Sequence, residues 1–174
     1  MKIEVKYGLY TGFGICLWMM AEHVLGFNST RLDIGQFTRV FAVILPIVMI
    51  VLGIRDKRNI DFNGSLEVLD GVKCGLIISL TSGALTAIFF VVYGSFINPD
   101  YLDHLMAFEK SKMIGQGIPD VEIGPKLEAM RTMNTFPIQP MFQIVGSTIS
   151  GLAISIIGST ILKKRSSVER GPSA

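Results

Sequence analysis

Hydrophobic residues in this chain gather into long runs, and charged residues fall almost wholly between them. A bilayer core of about 30 Å takes about 20 helical residues, so a window of about 19 residues suits such a pattern. Four spans emerge. The first, about residues 7–25 (YGLYTGFGICLWMMAEHVL), follows Lys2 and Lys6. It resembles a secretory signal peptide in its basic start and apolar centre, but no small-x-small cleavage site follows, so it is expected to be retained. The second, about 37–54, holds Pro46, whose missing N–H and ring should kink the helix or loosen one turn. Its charge-free part, Val40 to Ile54, is 15 residues long, so Arg39 is expected to snorkel. The third, about 74–97, is uncharged. The fourth, about 138–162, lies within an uncharged stretch of 31 residues that starts at Thr132. The pattern predicts an all-α integral membrane protein with four transmembrane helices in a single membrane domain.

Composition agrees: 49 % of the 174 residues are apolar, 17 % are charged, and the mean hydropathy is +0.50. A net charge of +2 gives no nucleic-acid footprint. Cys16 and Cys74 sit in or beside apolar runs without metal-ligand spacing, so they read as small buried residues, and no cofactor is expected.

Basic residues set the orientation, because cytoplasmic flanks carry the excess of Lys and Arg. Ten fall on one side (Lys2, Lys6, Arg55, Lys57, Arg58, Lys73, Lys163, Lys164, Arg165, Arg170) and six on the other. Both termini are expected to be cytoplasmic, in a bacterial inner membrane, with the connection over about 98–136 outside. That connection is patterned rather than slack. Asn98 suits an N-cap, Pro99 the first helical position and Asp100 the first turn, where carboxylates meet unpaired N–H groups. Leu102, Leu105, Met106 and Met113 then recur at helical spacing until Gly115 to Gly117, and a second helix is expected from about Pro125 to Met133. The two would form a helical hairpin on the membrane surface or over the mouth of the bundle.

Asp100, Asp103 and His104 share one face of the first hairpin helix, and two carboxylates with an imidazole are a candidate polar or metal site. The plainer reading is a solvated helix start, since the helix dipole already accounts for Asp100 and only His23 remains as a further imidazole. Glu22 and His23 pose the same choice near the outer end of the first span. They read as interfacial anchors; the sharper alternative brings one of them to His104 or to an arginine of the hairpin, forming an ion-sensitive lid.

Small residues recur every four positions: Gly71, Gly75, Ser79, Gly83 and Ala87 in the third span, Ser147, Gly151, Ser155 and Ser159 in the fourth, and Gly8 and Gly12 in the first. In lipid such stripes let helix backbones approach closely, which predicts tight packing of the third and fourth spans, with self-association as the other use. The inner loop carries Leu66, Val68, Leu69 and Val72 among Glu67, Asp70 and Lys73, so an amphipathic segment over about 62–73 is expected in the cytoplasmic interface.

The order of "RDKR" after the second span, "FNGSLEVLDGVKCGLIISL" entering the third, "INPDYLDHLM" leaving it, an acidic Met-rich hairpin and a Gly/Ser fourth span resembles a family of four-helix bacterial membrane proteins, mostly of Bacteroidota, known as a domain of unknown function. The resemblance spans roughly Lys6 to Lys164, with Gly124 and Pro125 as a departure from an otherwise unbroken acidic helix. It implies a fold and a location and supplies no catalytic residues. Three function classes follow. A non-enzymatic accessory or scaffold subunit, meeting the bilayer and a membrane-protein partner or a second copy of itself, fits best. A small oligomeric transporter or channel comes second, and an interfacial enzyme using Asp100, Asp103 and His104 third.

Overall fold

The computed structural model describes residues 1–38 and 40–163. Arg39, with the snorkelling expected of it, and the basic residues Lys164, Arg165 and Arg170 lie outside the described residues. Helices follow one another as α1 (Ile3–Val24), α2 (Leu32–Thr38), α3 (Val40–Ile60), α4 (Val68–Val92), a π-helical turn (Tyr93–Ile97), α5 (Tyr101–Gly115), α6 (Asp120–Met133) and α7 (Ile138–Leu162), with no strand among the described residues. Three are long and apolar enough to cross a membrane: Leu32–Ile60, Val68–Ile97 and Ile138–Leu162. Four were expected. At 22 residues α1 has the length, but it carries Glu4, Lys6, Glu22 and His23 and is less apolar than the other three.

Four long helices form the bundle, and side-chain pairs fix their directions. Along α1 and α3, Glu4 meets Lys57, Tyr7 meets Asp56 and Trp18 lies on Phe41, so the two run antiparallel, and Glu22 meets Thr38 at the end of α2. Gly8 of α1 faces Thr81 of α4 and Gly12 faces Leu85, a parallel pair. Between α4 and α7 the stripes of small residues interlock, antiparallel: Gly71 against Ser159, Gly75 against Ser155, Ser79 against Gly151 and Gly83 against Ser147. A methyl group added to any of those four glycines would collide with the facing serine hydroxyl. Glycine is required there by contact and not by conformation.

The seams between the helices are accordingly lined by small and hydroxylic residues beside a core of Ile50, Ile54, Leu66, Cys74 and Ile78, while many other large apolar residues point outward. Thr11, Ser79, Ser82, Thr86, Ser155 and Ser159 are buried, whereas Phe13, Leu17, Val43, Ile88, Ile149 and Ile157 are exposed. A water-soluble fold distributes these types the other way round. Most of the interior hydroxyls donate to a carbonyl one turn back in their own helix, as Thr11 does to Tyr7 and Thr86 to Ser82, so they do not stay unpaired in an apolar setting.

Several expected boundaries move. The second span starts earlier than expected, at Leu32, and α3 continues past the basic cluster to Ile60, because Lys57 and Arg58 are used inside the fold: Lys57 Nζ lies 2.9 Å from the buried Glu4, and Arg58 Nη1 donates to the carbonyl of Leu162 at 3.3 Å. Pro46 stays within α3. No separate amphipathic helix occupies residues 62–73. A turn centred on Asn63 and Gly64, both at positive φ, leads to Leu66, buried in the core beside Ile54 and Cys74, and Val68 already opens α4. In the hairpin α6 starts at Asp120 and runs through Gly124 and Pro125 unbroken. Lys112 near the end of α5 reaches Gln36 of α2 at 3.3 Å, so α5 folds back over that end of the bundle. Cys16 and Cys74 are free and buried.

Candidate functional site

The exit from α4 departs most from its expected form. Asn98 does not cap α5; Asp100 occupies the cap position without a side-chain hydrogen bond. Instead the helix widens into a π-turn after Val92, and Asn98 turns inward, its N–H bonded to the carbonyl of Tyr93 at 2.8 Å. Its side-chain amide donates to the Tyr93 hydroxyl at 3.0 Å and to the carbonyl of Asn28 at 3.2 Å. Tyr93 is fully buried, and its hydroxyl also lies 3.2 Å from His23 Nδ1, with the two rings edge to face. One network thus ties α1, the turn after it and the π-turn together. The wider turn, closed by the bond from Asn98 N–H to the Tyr93 carbonyl five residues back, is what brings the Asn98 amide to the Tyr93 hydroxyl.

Glu22 is 4 % exposed and is held inside the same end of the bundle. Its Oε1 accepts from Trp18 Nε1 at 2.9 Å and from the Thr38 hydroxyl, so the carboxylate is bonded within the fold and does not snorkel. Glu22 and His23 are consecutive yet serve different networks. Neither forms the alternative contact with His104 or with a hairpin arginine: Arg131 instead pairs with Asp103 at 3.1 Å, across the hairpin and in solvent. Asp100, Asp103 and His104 are all exposed. Among the described residues no group of three His, Cys, Asp or Glu side chains is placed to hold a metal ion.

Between Glu22 and the start of α7 the helices separate around three cavities. One of about 230 Å³ is lined by Glu22, Trp18, Asn28, Thr86, Gln139 and Gln143 together with apolar neighbours. Thr86 and Gln143 also line a second, of about 210 Å³, that reaches Ser79, Ser82 and Ser150 deeper between α3, α4 and α7. Tyr101 and Gln139 also line a third, of about 440 Å³, under the α4–α5 and α6–α7 junctions. Gln143 Nε2 is 3.5 Å from the Thr86 hydroxyl, while Gln139 Oε1 is buried and has no hydrogen-bond partner among the described residues.

Sequence reasoning did not single out Tyr93, Asn28, Gln139 or Gln143. For the two glutamines a signal exists: they are the only amides in the uncharged run 138–162, four residues apart and so on one helix face. The helix-packing residues Gly75, Ser79, Gly83, Ser147, Gly151 and Ser155 all lie in the α4–α7 seam, and Ala87 is buried one turn beyond it.

No curated protein and no solved structure matches the chain. A family model described as "Protein of unknown function (DUF4199)" matches residues 6–164, the same stretch over which the resemblance was read, and the chain belongs to that family.

Proposed function

We propose that the protein is a four-span bacterial inner-membrane component with cytoplasmic termini, serving as a non-enzymatic accessory or scaffold subunit whose outer hairpin meets a partner. The fourth span in this reading is α1. It keeps register with α3 and α4 along its whole length, turns Gly8, Thr11 and Gly12 inward, and turns Phe13 and Leu17 outward, as the three more apolar helices do. The observation that carries the accessory role is the tip of the hairpin. Ile114 is 54 % exposed and Val121 81 % exposed on a segment that lies outside the hydrocarbon core of the bilayer in this topology. Elsewhere in the hairpin Leu105, Met106 and Ile123 are buried.

The test is isolation of the tagged chain in mild detergent from its own host, with identification of what accompanies it. A stoichiometric second protein that is lost, at least fivefold, from a Val121→Ser variant of unchanged thermal stability is the expected outcome. A pure homo-oligomer overturns the reading. A second reading, a polar path for a small solute, draws on the two cavities that share Thr86 and Gln143 in their walls. A solute flux in proteoliposomes that Gln143→Leu abolishes would favour it over the first.

A further inference from the structure

The 440 Å³ cavity lies where α4 ends and α7 begins, at the membrane interface if those helices cross the bilayer. Its wall is mixed. Phe90, Val91 and Leu102 supply apolar surface, and Ser95, Asn134 and Gln139 supply hydrogen-bonding groups. No charged side chain lines it among the described residues. A charged headgroup would therefore be desolvated without a counter-charge.

Two further observations bear on what fits. Gln139 lines the cavity and its Oε1 is a buried acceptor without a donor among the described residues, so a ligand that brings an O–H and draws the amide towards the cavity would relieve it, and a purely apolar one would not. Gly94, on the cavity wall, has neither positive φ nor a close neighbour: an added Cβ would meet nothing within 4 Å. That glycine contrasts with Gly71, Gly75 and Gly83 in the seam, each pressed against a serine. At Gly94 the missing side chain leaves open space. The volume is within the usual range for small-ligand pockets, and Phe136, 71 % exposed, stands at the cavity's lining, where an acyl chain can pass into the surrounding lipid.

We infer that this cavity binds a neutral, hydroxyl-bearing amphiphile of the acylglycerol class, its head donating a hydrogen bond to Gln139 Oε1 and its chain leaving past Phe136. The inference depends on α4 and α7 crossing the bilayer and is independent of the partner-binding role.

The full chain is released for native mass spectrometry from detergent micelles that contain 1-oleoylglycerol, oleic acid or methyl oleate at equal mole fraction. The expected result is a one-to-one adduct with 1-oleoylglycerol, at least fivefold more abundant than with the other two. Gly94→Leu, which fills open space, should cut that adduct about tenfold. Gln139→Leu should bring it down to the level of methyl oleate, which has no O–H to donate. Thermal unfolding without ligand should match the parent for both variants, and 1-oleoylglycerol should raise it only in the parent. Equal retention of the three probes, or an adduct unchanged in either folded variant, overturns the inference and marks ordinary annular lipid. Stronger retention of oleic acid overturns it in favour of an anion site. None of these outcomes bears on the co-purification test of the accessory role.

Discussion

Glu4 and Lys57 pair at the end of the bundle opposite the hairpin, 2.9 Å apart, with side chains only 6 % and 16 % exposed. Desolvation makes such a pair costly to break on one side only. Lys57→Met should lower stability by about 3 kcal/mol, while adding Glu4→Gln to it should restore most of the loss, read by thermal unfolding in detergent. The exposed pair Asp103–Arg131 is a different case: in solvent it contributes at most about 1 kcal/mol, and it holds Asp103 in a structural contact. Asn98 behaves like Lys57. Asn98→Ala removes the donor from the Tyr93 hydroxyl and from the carbonyl of Asn28, both buried by the same turn, and should cost about 1 to 3 kcal/mol by the same measurement. Asn98→Asp keeps the shape but loses the amide N–H, and should not recover the loss.

At the scale of elements, long apolar runs were legible because helix length and bilayer thickness are the same physical quantity read twice. The end of α5 at Gly115 was also legible, since Gly117 takes a positive φ just beyond it, at 74°. Three features were not. The Asn-Pro-Asp triplet has the local chemistry of a helix start, yet Asn98 is drawn inward by Tyr93 and Asn28, one of them 70 residues away. Local preference lost to a buried network that no spacing announces. The extension of α3 to Ile60 likewise depends on partners distant in sequence, Glu4 in α1 and Leu162 in α7, and Leu66 is placed by the core it fills. Of the candidate polar residues, Glu22 and His23 are bonded within the end of the bundle nearest the hairpin, and Asp100, Asp103 and His104 are exposed on the hairpin side of it. Sequence adjacency could not separate the two groups, because burial decides between them.

For the whole molecule the proposed topology makes a direct statement about sidedness. A cysteine placed at Glu128 should react with a membrane-impermeant maleimide in intact cells, and one placed at Asn59 only after permeabilisation. Cys16 and Cys74 can stay in place because both are buried. Reaction at residue 59 in intact cells would reverse the orientation. The order of residues along the α4–α7 seam has a larger consequence. These helices are joined through an entire hairpin, a connection too long to dictate how far one slides along the other. Three of the four contacts put glycine on α4 and serine on α7; the fourth, Ser79 on Gly151, is reversed. Sliding by one turn in either direction would oppose serine to serine at one level and leave glycine facing glycine at another, a bump beside a void. That single reversed pair works as a notch in a ratchet. Gly151→Ser alone should jam it, and exchanging the two residues, Ser79→Gly with Gly151→Ser, should restore the fit while making all four contacts alike. The exchanged protein would fold with the same contacts at home and lose its defence against a neighbouring alignment, visible as a second crosslinking pattern between cysteines on α4 and α7.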